Sequence, residues 1–200
     1  MTATKLTLAD IADLRAYERE REEFRDKIIA LKRRRRIPVG NIVTLVFENR
    51  DTIRFQVQEM ARAEKMLSDA QIQGELDVYN ALIPAAGQLS ATLFIELTSK
   101  LALMDWLPRL VGIERSVQVV IGEGDDADVV GCVPEESHDA QLTRDEITAS
   151  VHYVRWELTP DQVERFAAEC VAVRVDHPAY RESTLLAPAS RAELLTDLRG

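Results

Sequence analysis

The chain has 200 residues, of which 46% are apolar and 30% are charged, an ordinary composition for a globular protein with a sizeable core. Its net charge of −9 at pH 7 argues against non-specific binding of the whole molecule to nucleic acid or anionic membranes. Apolar runs are far shorter than the roughly 20 residues of a membrane-spanning helix, and residues 1–10 lack the apolar segment of a signal peptide. We therefore expect a cytoplasmic protein without membrane association.

A long amphipathic helix is predicted at the N-terminus. Apolar residues recur at three-, four- and seven-residue spacing from Leu8 to Leu31, which indicates one apolar stripe along a helix that reaches about Arg36. Pro38 and Gly40 are expected to end it.

Two strands are predicted next, joined as a hairpin. Residues 42–47 are apolar on both faces, as in an interior strand, and residues 52–57 alternate between apolar and polar. The second strand is predicted to continue into a helix with Met60, Ala63 and Leu67 on its apolar side.

Strands and helices follow one another through the rest of the chain. They are a strand at 90–97, a buried helix at 101–110, a hairpin of 116–121 and 129–133 with an acidic tip, a strand at 151–158, a helix after the cap Thr159-Pro160, a last strand at 171–175 and a last helix at 189–198. This order predicts an α+β fold in which the long N-terminal helix packs on mostly antiparallel sheet, with further helices inserted between hairpins. A boundary near Gly112 would divide lobes 1–112 and 113–200, and one continuous domain is the alternative.

The segment 47–64 concentrates charges and amides between apolar neighbours. Three interpretations stay open: a hydrogen-bonded network that fixes the hairpin on its helix, the polar centre of a protein-protein surface, or carboxylate ligands for a metal. A small-molecule pocket is the remaining alternative. The candidate partner-binding residues are Arg50, Arg54, Gln56, Gln58, Glu59 and Arg62. Glu64 borders the apolar stripe, so we expect it to form a structural ion pair with Arg54.

Four successive arginines, Arg33, Arg34, Arg35 and Arg36, lie near the predicted end of the first helix. Because helical residues turn by about 100° each, the four cannot face one partner together. We expect a helix-end cluster that pairs with the acidic body and adds to the partner surface. Nucleic-acid binding is the alternative.

A metal site would have to use the three histidines, His138, His152 and His177, with a carboxylate. The sequence has no HExxH motif, and its two cysteines form no CxxC pair. No cofactor is therefore predicted, with iron or zinc as the alternative.

Several strings of this chain resemble one bacterial family. They are YEREREEFRDKIIALKRRRRIPVGN at 17–41, FENRDTIRFQVQEMARAE at 47–64, ELDVYNALIPAAGQLSATLFIEL at 75–97 and VDHPAY at 175–180, followed by DL at 197–198. They resemble domain-of-unknown-function family 3501. The resemblance implies, by association of genes, a role beside rubrerythrin-like or iron-sulfur proteins.

The residues and the resemblance together lead to one functional hypothesis. We expect a non-enzymatic accessory protein in a redox or oxidative-stress setting, which binds a protein partner through the 47–64 hairpin-helix junction. A metal-binding protein or metal-dependent enzyme is the first alternative, and nucleic-acid binding is the second. A homo-oligomer is compatible with all three.

Overall fold

The computed structural model describes residues 5–135 and 147–200. In these residues the helices are α1 (Leu14–Arg35), α2 (Arg50–Ala63), α3 (Asp69–Tyr79), α4 (Lys100–Arg109), α5 (Pro160–Ala168) and α6 (Pro188–Arg199). The strands are β1 (Arg36–Val39), β2 (Val43–Phe47), β3 (Gln88–Ile95), β4 (Val117–Ile121), β5 (Asp128–Gly131), β6 (Val133–Pro134), β7 (Val151–Glu157), β8 (Val171–His177) and β9 (Tyr180–Leu185).

The strands form two antiparallel sheets. The first sheet has the order β1-β2-β3-β7-β6, and the second has the order β5-β4-β8-β9. Helix α1 precedes β1 in sequence and packs on the first sheet, whereas α2 and α3 lie between β2 and β3. The predicted α+β fold, with its long N-terminal helix on antiparallel sheet, is confirmed.

The main apolar core lies on one face of the first sheet. Alternate residues of β2, β3 and β7, such as Leu45, Leu93 and Trp156, join a cluster with Val119 and Val173 of the second sheet. Because side chains alternate along a strand, the intervening residues of the first sheet point to its other face. That second face is the one covered by the N-terminal helices.

A smaller apolar cluster fixes these helices. Ile53 and Val57 of α2 meet Leu76 of α3, with Leu6 from the N-terminal segment and Leu82 after α3. Within residues 5–135 and 147–200, no helix combines the length and apolar character needed to cross a membrane.

The hairpin predicted from residues 42–57 is wrong. Residues 50–63 form α2, because the Asn49 side chain accepts a hydrogen bond from Thr52 N at 3.0 Å and Thr52 Oγ1 accepts one from Asn49 N at 2.9 Å. This reciprocal cap begins a helix. Ile53, Val57 and Ala61 are then buried at four-residue spacing, so the 47–64 junction joins a strand directly to a helix.

The long first helix has other ends than those predicted from the sequence. It begins at Leu14, where the Asp13 side chain accepts hydrogen bonds from Arg15 N and Ala16 N. It ends at Arg35 and passes directly into β1, so Pro38 lies inside an edge strand instead of ending the helix.

Two C-terminal predictions need correction as well. Helix α4 is in place, but it is not buried: Leu101 is 81% exposed and Met104 is 64% exposed. Strand β8 is not the last strand, because Tyr180–Leu185 returns antiparallel beside it.

Candidate ligand-binding site

The helix-covered face of the first sheet carries a row of residues that runs across four strands. Arg36 of β1 lies opposite Val46 of β2, Val46 lies opposite Thr92 of β3, and Thr92 lies opposite Tyr153 of β7. Neighbouring strands are about 4.8 Å apart. A cation at one edge and a phenol near the other are therefore joined by a short polar floor.

This floor is unusually polar for a buried sheet face. Thr44, Ser90 and Thr92 are all buried beneath the helices, and Glu48 is only 7% exposed. Thr92 Oγ1 donates a hydrogen bond to Glu48 Oε1 at 2.7 Å. Because apolar residues in place of both partners of such a buried hydrogen bond can be equally stable or more stable, this face is not built for packing alone.

A cavity of about 260 Å³ lies over the floor. It is lined by Lys32, Arg36, Val46, Glu48, Ile53, Gln56, Tyr79, Leu82, Thr92, Phe94, Val151 and Tyr153. Pockets for drug-sized ligands run from roughly 300 to 1,000 Å³. The cavity therefore suits a small metabolite.

Positive charge predominates in the lining, although the chain as a whole is acidic. The lining contains two cations, Lys32 and Arg36, and one carboxylate, Glu48, whereas the whole chain has 25 basic and 34 acidic residues. In the described part of the chain, Lys32 Nζ has no hydrogen bond or ion pair, and Arg36 has a half-exposed pair with Glu96. The ammonium group of Lys32 is thus free to bind an anion.

Two tyrosines complete the polar lining. Burial raises the pKa of Tyr153 to about 12, with smaller contributions from Tyr79 and Glu48. Burial also raises the pKa of Tyr79, whose hydroxyl shares a hydrogen bond with Gln56. Both phenols are therefore protonated and neutral at pH 7.

The residues predicted to bind a partner lie mostly outside this cavity. Arg50 pairs with Asp10, and Arg54 Nε donates to the Asp10 carbonyl oxygen at 2.8 Å. The buried amide of Gln58 exchanges two hydrogen bonds with the backbone of Ala12, at 2.8 and 3.0 Å. These contacts hold the segment before α1 against α2.

The next turns of α2 hold α1 itself. Glu59 accepts a hydrogen bond from Tyr17 Oη at 2.6 Å and two from Arg21, each at 2.8 Å. The hydrogen bond from Arg21 is the main cause that lowers the pKa of Glu59. Arg62 pairs with Glu18 in the same interface. The charged cluster therefore forms an internal network, but this network holds α1 and the segment before it on α2 and does not fix a hairpin on its helix.

The predicted ion pair between Glu64 and Arg54 is wrong. The two residues are ten positions apart, which is about 15 Å along a helix. Arg54 instead lies 3.6 Å from Glu20 and 4.9 Å from the centre of the Phe24 ring. Glu64 is exposed at the C-terminal end of α2.

The four arginines end α1 in different surroundings. Arg35 is 0% exposed and binds both carboxylate oxygens of Asp197 in α6, at 2.7 and 2.9 Å. Arg34 binds Glu193 at 2.8 Å, while Arg33 is exposed. As their spacing requires, the four arginines do not all face one partner, although Arg34 and Arg35 share Glu193.

The two histidines that the structure describes, His152 and His177, do not form a metal site together. His138 lies outside the described residues. Buried His152 contacts Thr148 Oγ1 and the Ala149 carbonyl oxygen, at 2.8 and 2.9 Å. His177 contacts the Val111 carbonyl oxygen through Nε2 at 3.0 Å. Among residues 5–135 and 147–200, no cluster of three or more His, Cys, Asp or Glu side chains could hold a metal.

Sequence reasoning missed most of the cavity. Lys32 and the two tyrosines were assigned to no site, and Thr92 was treated only as a strand residue. A usable signal exists in β3, where Ser90 and Thr92 alternate with apolar residues in a strand that is buried on both faces. Polar residues at those positions indicate a covered polar surface.

One family model and one solved structure that match this chain are both described as proteins of unknown function. Residues 5–198 match the family model described as "Protein of unknown function (DUF3501)". A crystal structure of a novel protein of unknown function from Burkholderia pseudomallei K96243 has 34% sequence identity and a TM-score of 0.88, with 98% of this chain and 100% of that chain covered. No curated protein matches the chain.

Proposed function

We propose that this chain, which belongs to the DUF3501 family, binds a small molecule in the cavity between its first sheet and helices α1 to α3. The proposal rests on one observation: a covered sheet face is polar where packing alone would favour apolar residues. Glu48 and Thr92 are buried there beside an open volume of about 260 Å³. A bound ligand would use these groups, and so offset the cost of burying them.

The lining combines the features of metabolite sites. Apolar side chains of Ile53, Leu82 and Phe94 form walls, and a few polar groups converge on the same space. Such a mixture buries an organic ligand and orients it.

The test is a substitution that fills part of the cavity, followed by a search for small molecules that the variant no longer binds. Val151 lines the cavity on β7, so Val151→Phe should occupy part of its volume. Val129→Phe is the matched control, because Val129 is 48% exposed on β5 and does not line the cavity. Small molecules extracted from each natively purified protein would be identified by mass spectrometry. A metabolite library would be screened by ligand-observed NMR.

The expected result is at least one small molecule that binds wild type and Val129→Phe but not Val151→Phe. Thermal unfolding of both variants must remain cooperative, which separates loss of binding from loss of fold. The proposal is refuted if no extracted or library molecule discriminates between the two variants.

A protein partner is the second candidate, in the cytoplasmic redox setting that the family resemblance implies. The observation that favours it is the exposure of Leu101 and Met104 on α4, since neighbouring exposed apolar side chains are frequent in interaction sites. Glu substitutions at both positions should abolish co-purification of a rubrerythrin-like or iron-sulfur protein. Leu185→Glu, at a residue that is 64% exposed on β9, should leave it intact. If the same protein co-purifies with wild type and with all three variants, this candidate is refuted.

A further inference from the structure

We infer that the ligand of this cavity is a small organic acid that carries a hydrogen-bond donor at its opposite end. The inference rests on the proposed function and adds the chemical class of the ligand. It follows from where the charges of the lining lie along the sheet. One end of the site is cationic, and the other end offers acceptors.

The cationic end lies where α1 passes into β1. Lys32 is in the last turn of α1 and Arg36 is the first residue of β1, and both line the cavity. Lys32 is without a partner in the described part of the chain, and the pair of Arg36 with Glu96 is about half exposed, so it is weak. A carboxylate could bind both cations without breaking a buried interaction.

The accepting end is formed by Glu48 on the sheet. Its Oε1 atom already accepts the hydrogen bond from Thr92, and a carboxyl group has a second oxygen that can accept another. Glu48 therefore has capacity left for a hydroxyl or amine of the ligand. The neutral phenol of Tyr153 lines the same cavity.

The sheet sets the distance between the two ends. Arg36 lies opposite Val46, and Glu48 is two residues further along the same chain. With about 4.8 Å between strands and about 3.4 Å per residue, the backbone positions of Arg36 and Glu48 are roughly 8 Å apart. The space between them has apolar walls, including Ile53 and Phe94. A flat or compact apolar body with polar ends fits this arrangement, and 4-hydroxybenzoate is a suitable probe.

Four probes separate the contributions of the two ends. 4-Hydroxybenzoate has both polar groups, benzoate lacks the donor, 4-methoxybenzoate has the donor blocked, and 4-hydroxybenzyl alcohol lacks the anion. Dissociation constants would be measured by isothermal titration calorimetry at low ionic strength, where charge contacts are least screened. We expect 4-hydroxybenzoate to bind most tightly, and each of the other probes to bind at least fivefold more weakly.

Matched variants assign each end to a residue. Lys32→Gln should lower the affinity for 4-hydroxybenzoate and for benzoate about tenfold each, because it removes a charge-assisted contact. Lys27→Gln makes the same change on the same helix, at an exposed residue paired with Glu23, and should have no effect. Glu48→Gln keeps an oxygen for the Thr92 hydrogen bond. This variant should bind 4-hydroxybenzoate about fivefold more weakly than wild type and should bind benzoate with unchanged affinity.

The outcomes distinguish this inference from the proposed function. If 4-hydroxybenzyl alcohol binds as tightly as 4-hydroxybenzoate and Val151→Phe abolishes both, the cavity binds ligands but the anionic class is refuted. If no anionic probe binds at millimolar concentration in a Val151→Phe-sensitive way, the class is refuted as well. Extraction of natively bound molecules then decides the proposed function independently. Equal effects of Lys32→Gln and Lys27→Gln would refute the role of Lys32.

Discussion

Replacement of Arg35 by methionine should destabilise the protein more than any other change in the arginine run. The guanidinium is fully buried and binds both oxygens of Asp197, and it also lies 3.0 Å from a carboxylate oxygen of Glu193. Methionine keeps most of the apolar stem but removes the charge. Glu193 retains Arg34 as a partner, whereas Asp197, with a side chain that is 11% exposed, loses its bidentate one.

The expected cost follows from the burial of the group left behind. Removal of one partner of a buried ion pair typically costs about 3–5 kcal/mol, because a charge remains in a poorly solvated place. With a urea dependence of roughly 2 kcal/mol per molar, the unfolding midpoint should fall by about 1.5–2.5 M. Equilibrium unfolding in urea, followed by far-UV circular dichroism and tryptophan fluorescence, measures this shift.

Arg34→Met is the control, because Arg34 makes a half-exposed pair with Glu193 and should contribute less than about 1 kcal/mol. A second change, Asp197→Leu in the Arg35→Met background, removes the stranded charge and should recover at least half of the loss. The reasoning is wrong if Arg35→Met costs no more than Arg34→Met, or if the double variant loses the sum of the two single changes.

Three further predictions concern glycines, thiols and acid stability. Gly40 has φ +72°, and a Cβ there would clash with the Tyr180 hydroxyl, so Gly40→Ala should lower the unfolding free energy by about 2 kcal/mol or more. Gly74→Ala, in open space on α3, should raise the unfolding free energy by about 0.4–1 kcal/mol. Urea unfolding of both variants measures the two changes, and changes of equal sign and size would contradict the argument. In native protein at pH 8, Ellman's reagent should modify partly exposed Cys170 faster than Cys132. Cys132 is buried and its pKa is raised to about 11. Cys170→Ser should therefore remove the fast phase of the reaction. The hydrogen bond from arginine lowers the pKa of Glu59 below its ordinary value of 4.5, so the stability it adds is complete above that pH and is lost as pH falls through the lowered pKa. The difference in unfolding free energy between wild type and Glu59→Gln should therefore shrink in urea titrations as the pH is taken from about 6 to about 3, and a constant difference would contradict this assignment.

Sequence patterns located most of the sheet because burial on a strand leaves a clear mark. The run 42–47 is apolar on both faces and forms an interior strand, and alternation at 151–158 gave β7. Strand β9 was missed because its residues after Tyr180 are mostly polar or exposed, as an edge strand allows. In β9 no alternation of apolar and polar residues is visible in the sequence, because neither face of the strand after Tyr180 is well buried.

The error at residues 50–57 has a specific cause. Ile53, Phe55 and Val57 satisfy the two-residue period of a strand, but Ile53 and Val57 also begin a four-residue period that continues to Ala61. The deciding signal was local: Asn49 followed by Thr52 forms the N-terminal cap. A short window of alternation cannot distinguish the two periods without that cap.

The candidate site was harder to predict because its residues are distant in sequence and join only through strand pairing. Arg36, Val46, Thr92 and Tyr153 become neighbours through three antiparallel registers. No spacing rule within one segment links them. The charged segment 50–62 drew attention instead, because a cluster of charges is visible in sequence whether it binds a partner or its own N-terminal helix.

The position of Lys32 connects the stability of the protein to the proposed site. Residues three apart on a helix lie on neighbouring faces, so the attachment of Arg35 to Asp197 in α6 fixes the rotation of the last turn of α1. That rotation carries Lys32 to the cavity and leaves Arg33 exposed. Glu59 and its partners Tyr17 and Arg21 hold the other half of α1 on α2. The buried arginine and the internal charge network therefore act as supports that place one unpaired cation over a polar sheet.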